Sequence, residues 1–150
     1  MPSYTFLSAF FPHRGLAIYI SNDIANKIDC LFDSISKILE SYPDSEIIVV
    51  GDFNIHNSNW LHHSSHTSRE GLFVMLFAEN NNLKQLVKEP TYFPNVERQC
   101  QNILDLFMTS DPEKYEVHNL APLGISNHVT ISAYLIKVCT LKNFCKFLKA

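Results

Sequence analysis

The first thing this chain lacks is an excess of positive charge. Twelve lysines and arginines stand against 15 acids, a formal net charge of −3 over 150 residues. That balance gives no general attraction to a polyanion, so binding nucleic acid would need a local basic patch or a metal ion. Paired cysteines are missing too. Cys30, Cys100, Cys139 and Cys145 are widely scattered with no Cys-x-x-Cys among them. This excludes a zinc knuckle or a disulfide framework and reads as free thiols in a reducing compartment. No apolar run approaches membrane-spanning length and the N-terminus carries no signal-peptide pattern. The expectation is a soluble, intracellular chain without a membrane partner. Repeats and low-complexity stretches are also absent. What the chain does have is a hydrophobic content of 46% with 18% charged residues, which suits one folded domain with a real core.

The most informative stretch is Ser45-Glu46-Ile47-Ile48-Val49-Val50-Gly51-Asp52-Phe53-Asn54. Its four β-branched residues predict a strand buried on both faces, after which Gly51 lets the chain turn. Asp52 and Asn54 then stand two residues apart at the carboxyl end of a strand, where ligands bind in open α/β sheets. Asp can activate a nucleophile or hold a metal, and Asn can donate to an oxyanion without adding charge. Taken alone, the tetrapeptide could equally be a polar turn after a core strand.

Around it, Tyr4 to Phe11 and Leu16 to Ile20 read as two strands or one irregular hairpin. From Ile24, apolar residues at 28, 31, 32, 35, 38 and 39 make one helical stripe that Pro43 stops. A helix leading into a buried strand is the α/β pattern. Residues 54 to 68 form a long polar loop, followed by a helix from Arg69 to Glu79 and a short strand from Leu83 to Val87. Asn102 to Thr109 predicts a buried strand with Asp105 inside it, a carboxylate that needs a partner such as a histidine. Strands are also expected over 115–120 and from Val129 to Leu135. Trp60 fits core packing. The tail, with Lys137, Lys142, Lys146 and Lys149 and no acid, could be a basic surface helix or a frayed end.

Three features stand in a particular order: Gly51-Asp52-Phe53-Asn54, Leu104-Asp105-Leu106-Phe107 and Ser126-Asn127-His128. Together they resemble the endonuclease/exonuclease/phosphatase superfamily, and above all the endonuclease domains of non-LTR retrotransposons. Tyr42-Pro43-Asp44-Ser45-Glu46, Asn59-Trp60 and Glu89-Pro90-Thr91 are similar to that branch as well. The resemblance is best over residues 28–136, within a domain of 1–136, and leaves 137–150 outside as a basic tail. It implies a DNase I-like fold, a partial four-layer α/β sandwich with its N-terminal half largely missing.

The resemblance also implies a hydrolase that cuts phosphodiester bonds of DNA with Mg2+. Asp52 would align or deprotonate the attacking water and Asn54 would steady the phosphorus centre. Asp105 would orient His128, which contacts the scissile phosphate, with His56 and Ser126 as substrate contacts. The location expected is intracellular, the nucleus included. Two departures weaken the implied activity. Asn127 stands where the family has a metal-binding Asp, and an amide oxygen is a weaker ligand for a hard cation. No strand carrying a second Asn or a metal-binding Glu precedes Asp52. The alternatives are a catalytically dead remnant that binds nucleic acid, or a metal-binding interaction module built on His56, His62, His63 and His66.

Overall fold

The computed structural model describes residues 6–10, 15–20, 28–95 and 100–136. The expectations for the basic tail and for the first turn of the helix beginning at Ile24 lie outside these residues. Strand β1 (Phe6–Phe10) pairs antiparallel with β2 (Gly15–Ile20), so the two N-terminal runs form a hairpin. Helix α1 (Ile28–Ser41) crosses over to β3 (Glu46–Asp52), which pairs parallel with β2. A parallel pair needs such a crossover, because a tight turn can only reverse the chain.

Helix α2 (Arg69–Asn80) follows the polar loop. Ser68 caps it, its hydroxyl accepting from Gly71 N at 3.0 Å. Strand β4 (Lys84–Gln85) is shorter than the Leu83–Val87 run expected. Leu86 N–H still donates to Phe107 O at 2.9 Å in the same register, and on the outer edge the Gln85 amide bonds Val87 at both its N–H and its carbonyl. Strand β5 (Asp105–Thr109) lies antiparallel between β3 and β4, giving a mixed five-stranded sheet of order β1-β2-β3-β5-β4. A 3₁₀ turn at Pro112–Lys114 leads into β6 (Tyr115–Leu120), which pairs antiparallel with β7 (Thr130–Leu135) as a second, two-stranded sheet.

The helices cover one face of the large sheet. Phe32 of α1 stacks on Phe77 of α2 with ring centroids 3.6 Å apart, and the two helices bury Ile35, Val74 and Ala78 with Ile47, Val49 and Met108. The two-stranded sheet lies over the other face: Tyr115 meets Phe107 at 5.4 Å, and Val117 and Ile131 pack against the core. The layers are therefore helix, sheet, sheet. This corrects one expectation for β3. Ile47, Val49 and Gly51 are buried, but Ile48 and Val50 are only half-buried, because two strands cannot cover a five-stranded face.

Gly51 supplies no turn either. It stays in the ladder, opposite Leu106 on one side and Ile20 on the other, and β3 runs on to Asp52. The reversal comes at Asn54, in left-handed backbone with φ 45°, where its N–H donates to Asp52 Oδ1 at 3.0 Å. Asn adopts this conformation more readily than most residues.

Candidate active site

Strands β3 and β5 end together. Asp52 and Asp105 are register partners across the antiparallel pair, so two carboxylates face each other at one rim of the sheet. Asp105 is thus the first residue of β5, half-buried at the strand end, rather than sealed in mid-strand as its apolar neighbours implied. Leu104 O still accepts from Phe53 N at 2.8 Å, in register with the ladder, but the buried Thr91 hydroxyl accepts from Leu104 N and Asp105 N, both at 3.0 Å, and draws the chain away from it.

His128 comes from the other sheet. Its N–H donates to Ser126 Oγ at 3.0 Å, closing a turn just ahead of β7. That turn delivers Nδ1 to Asp105 Oδ2 at 2.8 Å. Tyr92 pairs with both Asn102 and His128, and its ring lies 5.0 Å from the imidazole. Donor atoms of Asp52, Asp105 and His128 all lie within 4.8 Å of one another.

Electrostatics follow from this crowding. Burial and, after it, the facing Asp105 carboxylate raise the Asp52 pKa, partly offset by His128 and by the Asn54 amide bond. Burial and then the neighbouring His66 push His56 down. Two hard carboxylates that repel across a short gap are the donor chemistry a small divalent cation favours. Asp52 with Asp105 therefore fits Mg2+, and the imidazole nitrogen adds no preference for it.

Asp52 and His128 stand between two clefts. One, of about 590 Å³, is also lined by Asn54, His56, His66 and Tyr92. The other, of about 320 Å³, is lined by Asp105, Ser126 and Ile131 as well. The expected substrate contacts His56 and Ser126 consequently lie in different clefts. Asn127 lines neither; its carbonyl accepts from Phe93 N at 2.9 Å.

The four loop histidines separate. His56 and His66 pair at 4.4 Å between ring centroids in the first cleft, while His62 and His63 join Trp60 and Lys88 in a third. Among the described residues, the one group of three or more that could hold a metal is Asp52, Asp105 and His128. Trp60 also packs on the core. Sequence reasoning gave no structural part to Thr91 and missed Tyr92. The signal present was the Glu89-Pro90-Thr91 tripeptide, read as likeness rather than as structure.

A family model described as endonuclease–reverse transcriptase matches residues 13–132. The match starts ahead of residue 28 and takes in β2. No curated protein sequence matches the chain. Among solved structures, the chain is similar to the endonuclease domain of TRAS1, a telomere-specific non-LTR retrotransposon, with TM-score 0.63 and 17% identity over 82% of this chain and 57% of that one. A mannosyl-6-phosphatase from Bacteroides thetaiotaomicron aligns with TM-score 0.46 and 12% identity over 82% of this chain and 51% of that one. The chain therefore spans little more than half the length of these structures.

Proposed function

Because this chain belongs to the endonuclease–reverse transcriptase family, we propose that it hydrolyses phosphodiester bonds of DNA with a divalent metal, as a retrotransposon-type endonuclease domain. The observation that carries the reading is the 2.8 Å contact of His128 Nδ1 with Asp105 Oδ2, beside a second carboxylate whose pKa is raised. Mg2+ would be held by Asp52 with Asp105 in reach, and would supply electrostatic stabilisation of the charge gathering on the phosphoryl oxygens.

The side chains divide the remaining work. Asp52, at the rim where both clefts meet, takes the proton of the attacking water. Water oxygen bonds to phosphorus, the P–O bond to one sugar breaks, and a phosphate monoester and a free hydroxyl result. Asn54, at the exposed end of the turn, donates to a phosphoryl oxygen without adding charge. Asp105 holds the Nδ1 side of His128, leaving Nε2 to meet the scissile phosphate. His56 and Ser126 contact the strand on either side, one in each cleft.

The test is nicking of supercoiled plasmid with Mg2+. Wild-type protein nicks, and Asp52→Ala and His128→Ala lower the rate by about a hundredfold or more. Folded wild-type protein that leaves the plasmid intact at millimolar Mg2+ refutes the reading. A second reading, nucleic-acid binding without cleavage, is favoured by one observation: Asn127 brings no charge and lies off the cleft walls. DNA retained in a gel-shift assay with no nicking at any Mg2+ concentration selects it.

A further inference from the structure

We propose that Thr91 is the positioning residue of this site, and that the segment from Pro90 to Phe93 acts as a strap setting the distance between Asp105 and His128. The two residues belong to different sheets, and the ladders within each sheet do not fix the gap between them. The strap does. Asn119 Nδ2 on β6 donates to Pro90 O at 2.8 Å. Thr91 N–H donates to Asn102 O at 2.9 Å, and Thr91 O accepts from Val129 N at 2.9 Å, next to His128. Phe93 N donates to Asn127 O at 2.9 Å, on the histidine's other side. The strap thus grips the backbone on both flanks of His128.

Its hold on Asp105 runs through one atom. Thr91 is completely buried, and its Oγ1 accepts from the N–H groups of Leu104 and Asp105, both at 3.0 Å. A hydroxyl oxygen has two lone pairs, so one side chain can satisfy two successive amides. Those amides fix where β5 begins and hence where the Asp105 carboxylate starts its reach toward the imidazole. Valine has the same shape but no acceptor. Thr91→Val leaves two donors without their acceptor, the Leu104 amide buried and the Asp105 amide partly so, while changing almost no volume. The backbone at 104–105 must then shift toward another partner, and His128, held by the other end of the strap, cannot follow.

The catalytic consequence deepens the phosphodiesterase reading and rests on it; the geometric consequence does not. Three measurements test the proposal. In wild-type protein, the Leu104 amide exchanges with solvent far more slowly than the amides of the exposed loop residues His62 and His63. In the 1H spectrum, an imidazole N–H bonded to the Asp105 carboxylate gives a far-downfield resonance. Thr91→Val loses that resonance and exchanges at Leu104 and Asp105 about tenfold faster or more, whereas Thr91→Ser restores both. In nicking assays Thr91→Val lowers kcat about 10- to 100-fold with KM within about twofold, as a misplaced group does.

Val74→Ala, a core truncation lining neither cleft, serves as the destabilised control and keeps the resonance. The proposal is overturned if Thr91→Val retains the resonance and wild-type exchange at 104–105, or if Val74→Ala loses the resonance as Thr91→Val does. It is overturned without any variant if the wild-type Leu104 amide exchanges like a loop amide. Absence of nicking by wild-type protein refutes the enzymatic reading, and the spectroscopic and exchange measurements still decide the role of Thr91.

Discussion

Replacing Asp52 by Asn should make the protein more stable while abolishing cleavage. The two facing carboxylates bring donor atoms within 4.8 Å. At that separation two unit charges repel by about 1 kcal/mol in a water-like medium and about 3.5 kcal/mol at the effective dielectric of a protein surface. His128 and the Asn54 amide offset part of this, and opposed like charges on neighbouring strands typically cost up to about 1 kcal/mol. A net gain of about 1 kcal/mol is expected for Asp52→Asn, a rise in Tm of about 2–4 °C for a chain of this size. The amide oxygen can still accept from Asn54 N–H, so the turn survives.

The pH dependence has a definite sign. A carboxyl whose folded pKa is raised binds its proton more tightly when folded, so stability is lost as pH rises through the folded pKa. The gain from Asp52→Asn should therefore be full at pH 7–8 and shrink as the pH falls and the Asp52 carboxyl, held above its ordinary value, takes up its proton. Thermal melts from pH 4 to 8 in chelator read it directly. Added Mg2+ should narrow the difference by stabilising the wild type alone. A variant that melts at or below the wild-type temperature at pH 7.5, or whose gain persists unchanged at pH 4, refutes the reasoning.

Two further outcomes rest on other parts of the fold. A Cβ at Gly71 would sit 2.0 Å from His56 O, so Gly71→Ala should cost about 3 kcal/mol and lower Tm by about 6–12 °C, although alanine is the better helix former; a rise in Tm contradicts this. His56 is held below the usual histidine value of 6.5, so the unfolded chain takes up that proton first and stability should fall as pH drops below about 6.5. His56→Gln should flatten that limb in denaturant titrations at pH 5 and 7.

The fold was legible wherever one periodicity ruled a segment. The α1 stripe and the β-branched run of β3 gave their elements correctly, because local geometry decides which face meets the core. The three motifs were equally legible as an ordered set, and the approach of Asp52, Asp105 and His128 needed only that β3, β5 and the turn ahead of β7 share a rim. Less could be read where a residue's role is fixed by distant partners. Asp105 looked like a charge inside a strand, since nothing within five residues reveals that a threonine hydroxyl 14 positions back starts the strand there. The loop histidines looked like one cluster because sequence proximity says nothing about which side of a loop each ring takes. Asn57 divides them: its side chain accepts from the amides of Asn59 and Trp60 and donates to Gly71 O, fixing the loop's path.

The register of β3 against β5 has a consequence for how the molecule comes into being. Asp52 and its partner Asp105 are about fifty residues apart along the chain, and bringing such ends together costs roughly 3.5 kcal/mol of chain entropy before any contact repays it. The hairpin, α1 and β3 can assemble from nearby segments, whereas the rim with its carboxylates and imidazole closes only after residue 128 has been synthesised. The core itself is complete only once β5 has been made, since Leu106 and Met108 lie within it. The rim must wait further for the turn that carries His128, so slow closure of that rim should set the pace at which refolded protein acquires its site.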